Sequence, residues 1–120
     1  MTLREEQIEI DFSVIEDLAD GDPAALAELT ATFVRHTTDG IAKVRAAIDS
    51  VDFAQAIRVT HTCIGFTATI GIAGLVPILR ELEAAAKEAR REELARLLAL
   101  WEQGFERVRR TLQARLSRNT

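Results

Sequence analysis

The side chains in this sequence best able to act as nucleophiles near neutral pH are two histidines and one cysteine, His36, His61 and Cys63. His61 stands apart from the other two. If its segment is helical, the neighbours of His61 on the helix surface at about 100° per residue are Ala54, Ile57, Arg58, Gly65 and Ala68. Gly65 sits one turn on. A glycine in mid-helix costs about 1 kcal/mol relative to alanine, and here it removes a side chain that would crowd the ring. Ala54 and Ala68 are small, and Ile57 and Ile64 form an apolar rim. The pattern describes an imidazole standing clear of a flat, partly apolar platform on which a partner could dock. On the far side of the same wheel, Val59, Cys63, Phe66 and Ile70 cluster with Ala56 as a buried stripe, so Cys63 reads as an inert core thiol. His36 lies among Arg35, Thr37 and Thr38 and reads as a surface or structural residue.

Much other chemistry is excluded. Two histidines and one cysteine cannot close a zinc site. Gly71-Ile72-Ala73-Gly74 lacks the spacing, the preceding strand and the Lys-Ser/Thr of a phosphate loop. No Glu-x-x-His pairs are present for a di-iron bundle. Ser13, Ser50 and Ser117 fall near helix ends with nothing to link them to a histidine, so no nucleophile triad is found.

The elements that must position His61 read as helices throughout. Two prolines, six glycines and no tyrosine, with abundant Ala, Leu, Glu and Arg, favour helix over sheet. Five segments are predicted: about 11–19, 23–49, 53–70, 73–90 and 92–116. Asp22-Pro23 gives the second an N-cap and a proline at its first position, Asp52 caps the third, and Gly71 stops it. The fourth carries Leu75, Ile78, Leu79, Leu82 and Ala86 on one face, and the fifth carries Leu94, Leu97, Leu98, Trp101, Phe105, Val108, Leu112 and Leu116. The expected fold is all-α, an antiparallel up-down four-helix bundle with a short additional N-terminal helix. It forms a single domain over 1–120 with its core at about 11–116.

Composition agrees. At 120 residues, 48 % hydrophobic and 28 % charged, the chain can bury one core without metals or disulfides. The net charge of −4 divides into −7 over residues 1–60, −1 over 61–86 and +4 over 87–120. The basic tail is expected to be a solvated helix face, and no nucleic acid partner is expected. No apolar run approaches the roughly 20 residues of a membrane span, and the acidic start does not read as a signal peptide, so a cytoplasmic protein is expected. The apolar strip on the last helix would be spare in a monomer and is the first suspect for self-association, although a monomer is favoured over a dimer.

The run His61-Thr62-Cys63-Ile64-Gly65-Phe66-Thr67-Ala68-Thr69-Ile70-Gly71 resembles the signature of histidine-containing phosphotransfer (HPt) domains, roughly His-x-Leu-Lys-Gly-Ser-x-Ala-x-x-Leu-Gly. His61, Gly65, Ala68 and Gly71 match, with an aliphatic at Ile70. Leu75 and Leu82-Glu83 fit the following helix, and Phe33 and Asp52 the preceding helix and turn. The resemblance covers about 11–116. It implies a phosphoryl carrier in multistep two-component phosphorelays, with no ATP site or kinase activity. His61 would accept a phosphoryl group from the aspartate of one response-regulator receiver and pass it to another. Receiver domains and a hybrid sensor histidine kinase would be its partners, with Mg²⁺ supplied by the receiver and no cofactor of its own. The chain departs from the signature at Ile64, where the family usually has Lys or Arg, at Phe66 for a small polar residue, and at Cys63 for Leu. Arg58, on the same side as His61, is the candidate replacement cation and phosphate contact. Ala54, Ile57, Ile64 and Ala68 are the candidate partner-binding residues. Two alternatives stay open: a phosphotransfer-impaired adaptor that binds a receiver or kinase domain, and a generic helical interaction module.

Overall fold

The computed structural model describes residues 8–118; residues 1–7 and 119–120 of the expected domain lie outside them. The chain forms α1 (Phe12–Ala19), α2 (Pro23–Asp49), α3 (Phe53–Thr69), a 3₁₀ turn (Ala73–Leu75), α4 (Val76–Lys87) and α5 (Arg91–Arg118). Short polar side chains start the first three helices by occupying amide donors that have no intrahelical partner. Asp11 accepts from Ser13 N–H, Asp22 from Ala24 N–H with Pro23 following, and Asp52 from Gln55 N–H. The helices are where the periodicity puts them, with one difference. The fourth segment opens as a 3₁₀ turn before Pro77, and its α-helix ends at Lys87, just before Ala89 takes a left-handed φ of 56°.

α2 packs on α3, α3 on α4, α4 on α5 and α5 back on α2, closing a four-helix ring, while α1 lies against α2. The links α2–α3 and α4–α5 are three residues each, which forces antiparallel neighbours. Trp101, Phe33, Leu75, Leu79, Leu82, Leu94 and Leu97 fill the core. Phe33 sits edge-on to both Phe66 and Phe105, at 6.4 and 5.8 Å between centroids. The strip on α5 is not spare: Leu94 through Leu112 are buried within the chain and Leu116 is half-buried. Three of the seven arginines of α5 are paired on its surface, Arg96 with Glu93, Arg109 with Glu106 and Arg115 with Glu16. Arg115 also lies over the Phe12 ring at 4.3 Å, tying α1 to the end of α5.

The α3–α4 corner is fastened by the segment that precedes α1. Asp11 N–H donates to Gly71 O (2.7 Å), and Gly74 N–H to Glu9 O (2.8 Å). This approach requires bare backbone. Gly71 has φ +85°, and a Cβ on Gly74 would stand 2.2 Å from Glu9 N and 2.9 Å from Ile8 backbone. Gly74→Ala is therefore expected to displace residues 8–11 and lower the unfolding free energy by about 1–3 kcal/mol. Urea denaturation measures the loss, and hydrogen exchange at Asp11 N–H locates it; an unchanged midpoint with full protection would contradict this account.

Candidate functional site

α3 turns one face to the core and the opposite face outward. Its buried residues are Ala56, Thr60, Cys63 and Thr67, continued by Ile70 at the C-cap, while Val59 and Phe66 are only half-buried. The buried stripe is thus rotated from the one expected and includes two threonines. Thr60 fits an apolar core because its hydroxyl donates to Ala56 O at 2.7 Å. His61 points away from this stripe, with 78 % of its side chain exposed.

The ring is exposed but not free. Nδ1 of His61 lies 2.9 Å from Oε2 of Glu83 on α4. A carboxylate can only accept, so in the neutral ring Nδ1 carries the hydrogen and Nε2 the lone pair, directed away from the carboxylate. Glu83 borders the buried face of α4 formed by Leu79, Leu82 and Ala86, and its side chain is 16 % exposed. Its other oxygen, Oε1, lies 3.9 Å from Lys87 Nζ.

The sequence-predicted residues are distributed around this centre. Ala54 and Ala68 are exposed, whereas Ile57 and Ile64 are half-buried against the core, a less open platform than expected. Arg58 is exposed, and its Nη2 donates to Gln55 Oε1 at 2.8 Å. Arg58 also borders a groove of about 300 Å³ between α2 and α3, with His36, Asp39 and Lys43 on its rim and Val59, Cys63 and Phe66 beneath. His36 rests its ring edge on Phe66, 5.6 Å between centroids. Burial first, and then the charge of Asp39, push the Cys63 thiol up to about 12, with Lys43 partly opposing; the thiol is inert at neutral pH.

Gly65 differs from expectation. A Cβ there would meet nothing within 4 Å, the His61 ring included. Helical side chains lean toward the N-terminus, and the ring is further held by Glu83, so a methyl one turn C-terminal does not crowd it. The space above Gly65 is open to solvent or to a partner.

Sequence reasoning noted Glu83 only as part of a pattern and missed its bond to His61. A signal existed: His61 and Glu83 lie eleven residues to either side of Ile72, at the turn of an antiparallel pair, so they face each other. Among the described residues no group of three or more His, Cys, Asp or Glu is placed to hold a metal ion, and no helix is long and apolar enough to cross a membrane.

An antiparallel helical bundle that presents an exposed, carboxylate-bound imidazole from mid-helix is the architecture of a histidine phosphotransfer module. The chain belongs to the Hpt domain family, whose model matches residues 28–111. Domains of this family act in phosphorelays as phosphoryl carriers rather than kinases, with receiver domains and hybrid kinases as partners. The fold is similar to that of histidine-containing phosphotransfer protein B (HptB) from Pseudomonas aeruginosa PAO1. The TM-score is 0.82 at 22 % identity, over 91 % of this chain and 95 % of that one. It is also similar to the HPT domain of the Hpt sensor hybrid histidine kinase from Shewanella. There the TM-score is 0.71 at 16 % identity, over 96 % of this chain and 97 % of that one. No curated protein matches the chain.

Because Gly65 is exposed in mid-helix with open space around it, Gly65→Ala is expected to stabilise the free protein by about 1 kcal/mol. A urea titration measures this, and a loss of stability would mean that the methyl does crowd the site.

Proposed function

We propose that His61 is the phosphoryl acceptor of this Hpt domain, and that Nε2 is the atom that takes the group. The observation that carries this reading is the 2.9 Å contact between Nδ1 and Glu83, which leaves Nε2 with its lone pair on an otherwise exposed ring. In the forward step the Nε2 lone pair attacks the phosphorus of a receiver's aspartyl phosphate. The N–P bond forms, the P–O bond to the aspartate breaks, and its electron pair leaves on the aspartate oxygen. The ring then carries positive charge, which the Glu83 carboxylate stabilises through Nδ1–H. No proton need leave. The same sequence in reverse delivers the group to a second receiver's aspartate.

The residues around the ring take supporting parts. Ala54, Ile57, Ile64 and Ala68 form the surface on which the receiver docks. Gly65 leaves clearance for the partner rather than for the ring. Arg58 reaches the phosphoryl oxygens after giving up its bond to Gln55. Mg²⁺ belongs to the receiver, where it neutralises phosphoryl charge. The working form is a monomer in the cytoplasm, consistent with the burial of the α5 strip inside the chain. The whole of 1–120 acts as one domain.

The test is incubation with a panel of phosphorylated receiver domains and Mg²⁺. Acid-labile, alkali-stable label is expected on the wild type and not on His61→Gln. Replacing Ile64 or Ala68 by a large charged residue should weaken receiver binding, and Gly65→Ala should transfer more slowly while remaining folded. Receiver binding with no label on the wild type would instead make the chain an adaptor.

A further inference from the structure

His61, Glu83 and Lys87 form a chain of three side chains across the boundary between α3 and α4. One carboxylate oxygen of Glu83 is engaged by the imidazole at 2.9 Å, and the other lies 3.9 Å from the Lys87 ammonium. We infer that Lys87 is a positioning residue for phosphotransfer, acting through Glu83. This rests on the reading of His61 as the phosphoryl acceptor.

Two physical requirements lead to Lys87. The first is orientation. Glu83 has three rotatable side-chain bonds, and a contact at one oxygen leaves the carboxylate free to turn. Lys87, four residues on along the same helix, faces the second oxygen and limits that turning. The second is charge. A phosphoryl group brings about two negative charges to Nε2, one imidazole ring away from a carboxylate that is only 16 % exposed and therefore weakly screened. The Lys87 ammonium offsets that carboxylate as the phosphoryl group arrives. Its own side chain is 61 % exposed, so the effect is modest. Other cations are less well placed. Neither Arg58, which bonds Gln55, nor Lys43, which pairs with Asp39, is placed against the Glu83 carboxylate. Ile64, one turn beyond His61, carries no charge.

The experiment compares wild type, Lys87→Ala, Lys87→Arg, Glu83→Gln and the Glu83→Gln/Lys87→Ala double variant. It reads the ¹⁵N signals of the His61 ring in the unphosphorylated protein and the rate of transfer from a phosphorylated receiver. Lys87→Ala is expected to slow transfer about three- to fivefold and to move the ring signals from the Nδ1–H tautomer toward a mixture. Lys87→Arg should restore both. In the Glu83→Gln background, removing Lys87 should cost nothing further, because its effect passes through the carboxylate. An equal loss in that background with unmoved ring signals would overturn the inference and make Lys87 a receiver contact. If the wild type accepts no phosphoryl group, the reading of His61 falls and the inference falls with it, whereas a wild type that transfers at the same rate as Lys87→Ala, with unmoved ring signals, overturns the inference alone.

Discussion

A histidine has two ring nitrogens, and a phosphoryl carrier works only if the one that meets its partner holds a lone pair. On the proposed reading of His61, that choice is made in this chain by a single hydrogen bond, from Nδ1–H of His61 on α3 to Glu83 on α4. The bond joins two helices that must therefore hold their register. A slip of one residue would turn His61 or Glu83 by about 100° and break the contact. The rest of the architecture is arranged so that this slip is costly. Ala56, Thr60, Cys63 and Thr67 fix the rotation of α3, and Leu79, Leu82 and Ala86 fix that of α4.

Rigidity here comes from packing rather than from a pocket. The proposed nucleophile, His61, lies on the outside, where water has access, so the chain cannot enclose a reaction by itself. What it supplies is one oriented atom on a stiff surface, and the partner must bring the rest of the site. The close fit of residues 8–11 against Gly71 and Gly74 serves the same end by clamping the turn from which α3 and α4 diverge. The groove between α2 and α3 lies on the other flank of His61, and its buried thiol takes no part in chemistry.

Much of this was legible in the sequence, for identifiable reasons. Caps at Asp22 and Asp52 and the three- and four-residue spacing of Leu26, Leu29 and Phe33 locate helices directly, because both signals are local. His61 was legible because a polar residue opposite a core stripe and one turn from a glycine is unusual. The stripe is only partly legible: Ala56, Cys63 and Ile70 are buried as expected, while Thr60 and Thr67 are buried in place of Val59 and Phe66, which are half-buried. Thr60 and Thr67 count as polar in a hydropathy pattern, yet a hydroxyl bonded within its own helix can be buried. The strip on α5 looked spare because a sequence does not show how wide a face a four-helix ring encloses. The contact of His61 with Glu83 is the main omission, since it depends on register between two helices. Only the symmetry of His61 and Glu83 about Ile72 carried that information.

The account turns on which nitrogen reacts. The most direct measurement is therefore the position of the phosphoryl group on the His61 ring, read by ¹⁵N–³¹P coupling in protein phosphorylated by a receiver. The account predicts phosphate on Nε2 with Nδ1 still protonated and bonded to Glu83. Phosphate on Nδ1 would contradict it, because that nitrogen can react only if the bond joining α3 to α4 is absent.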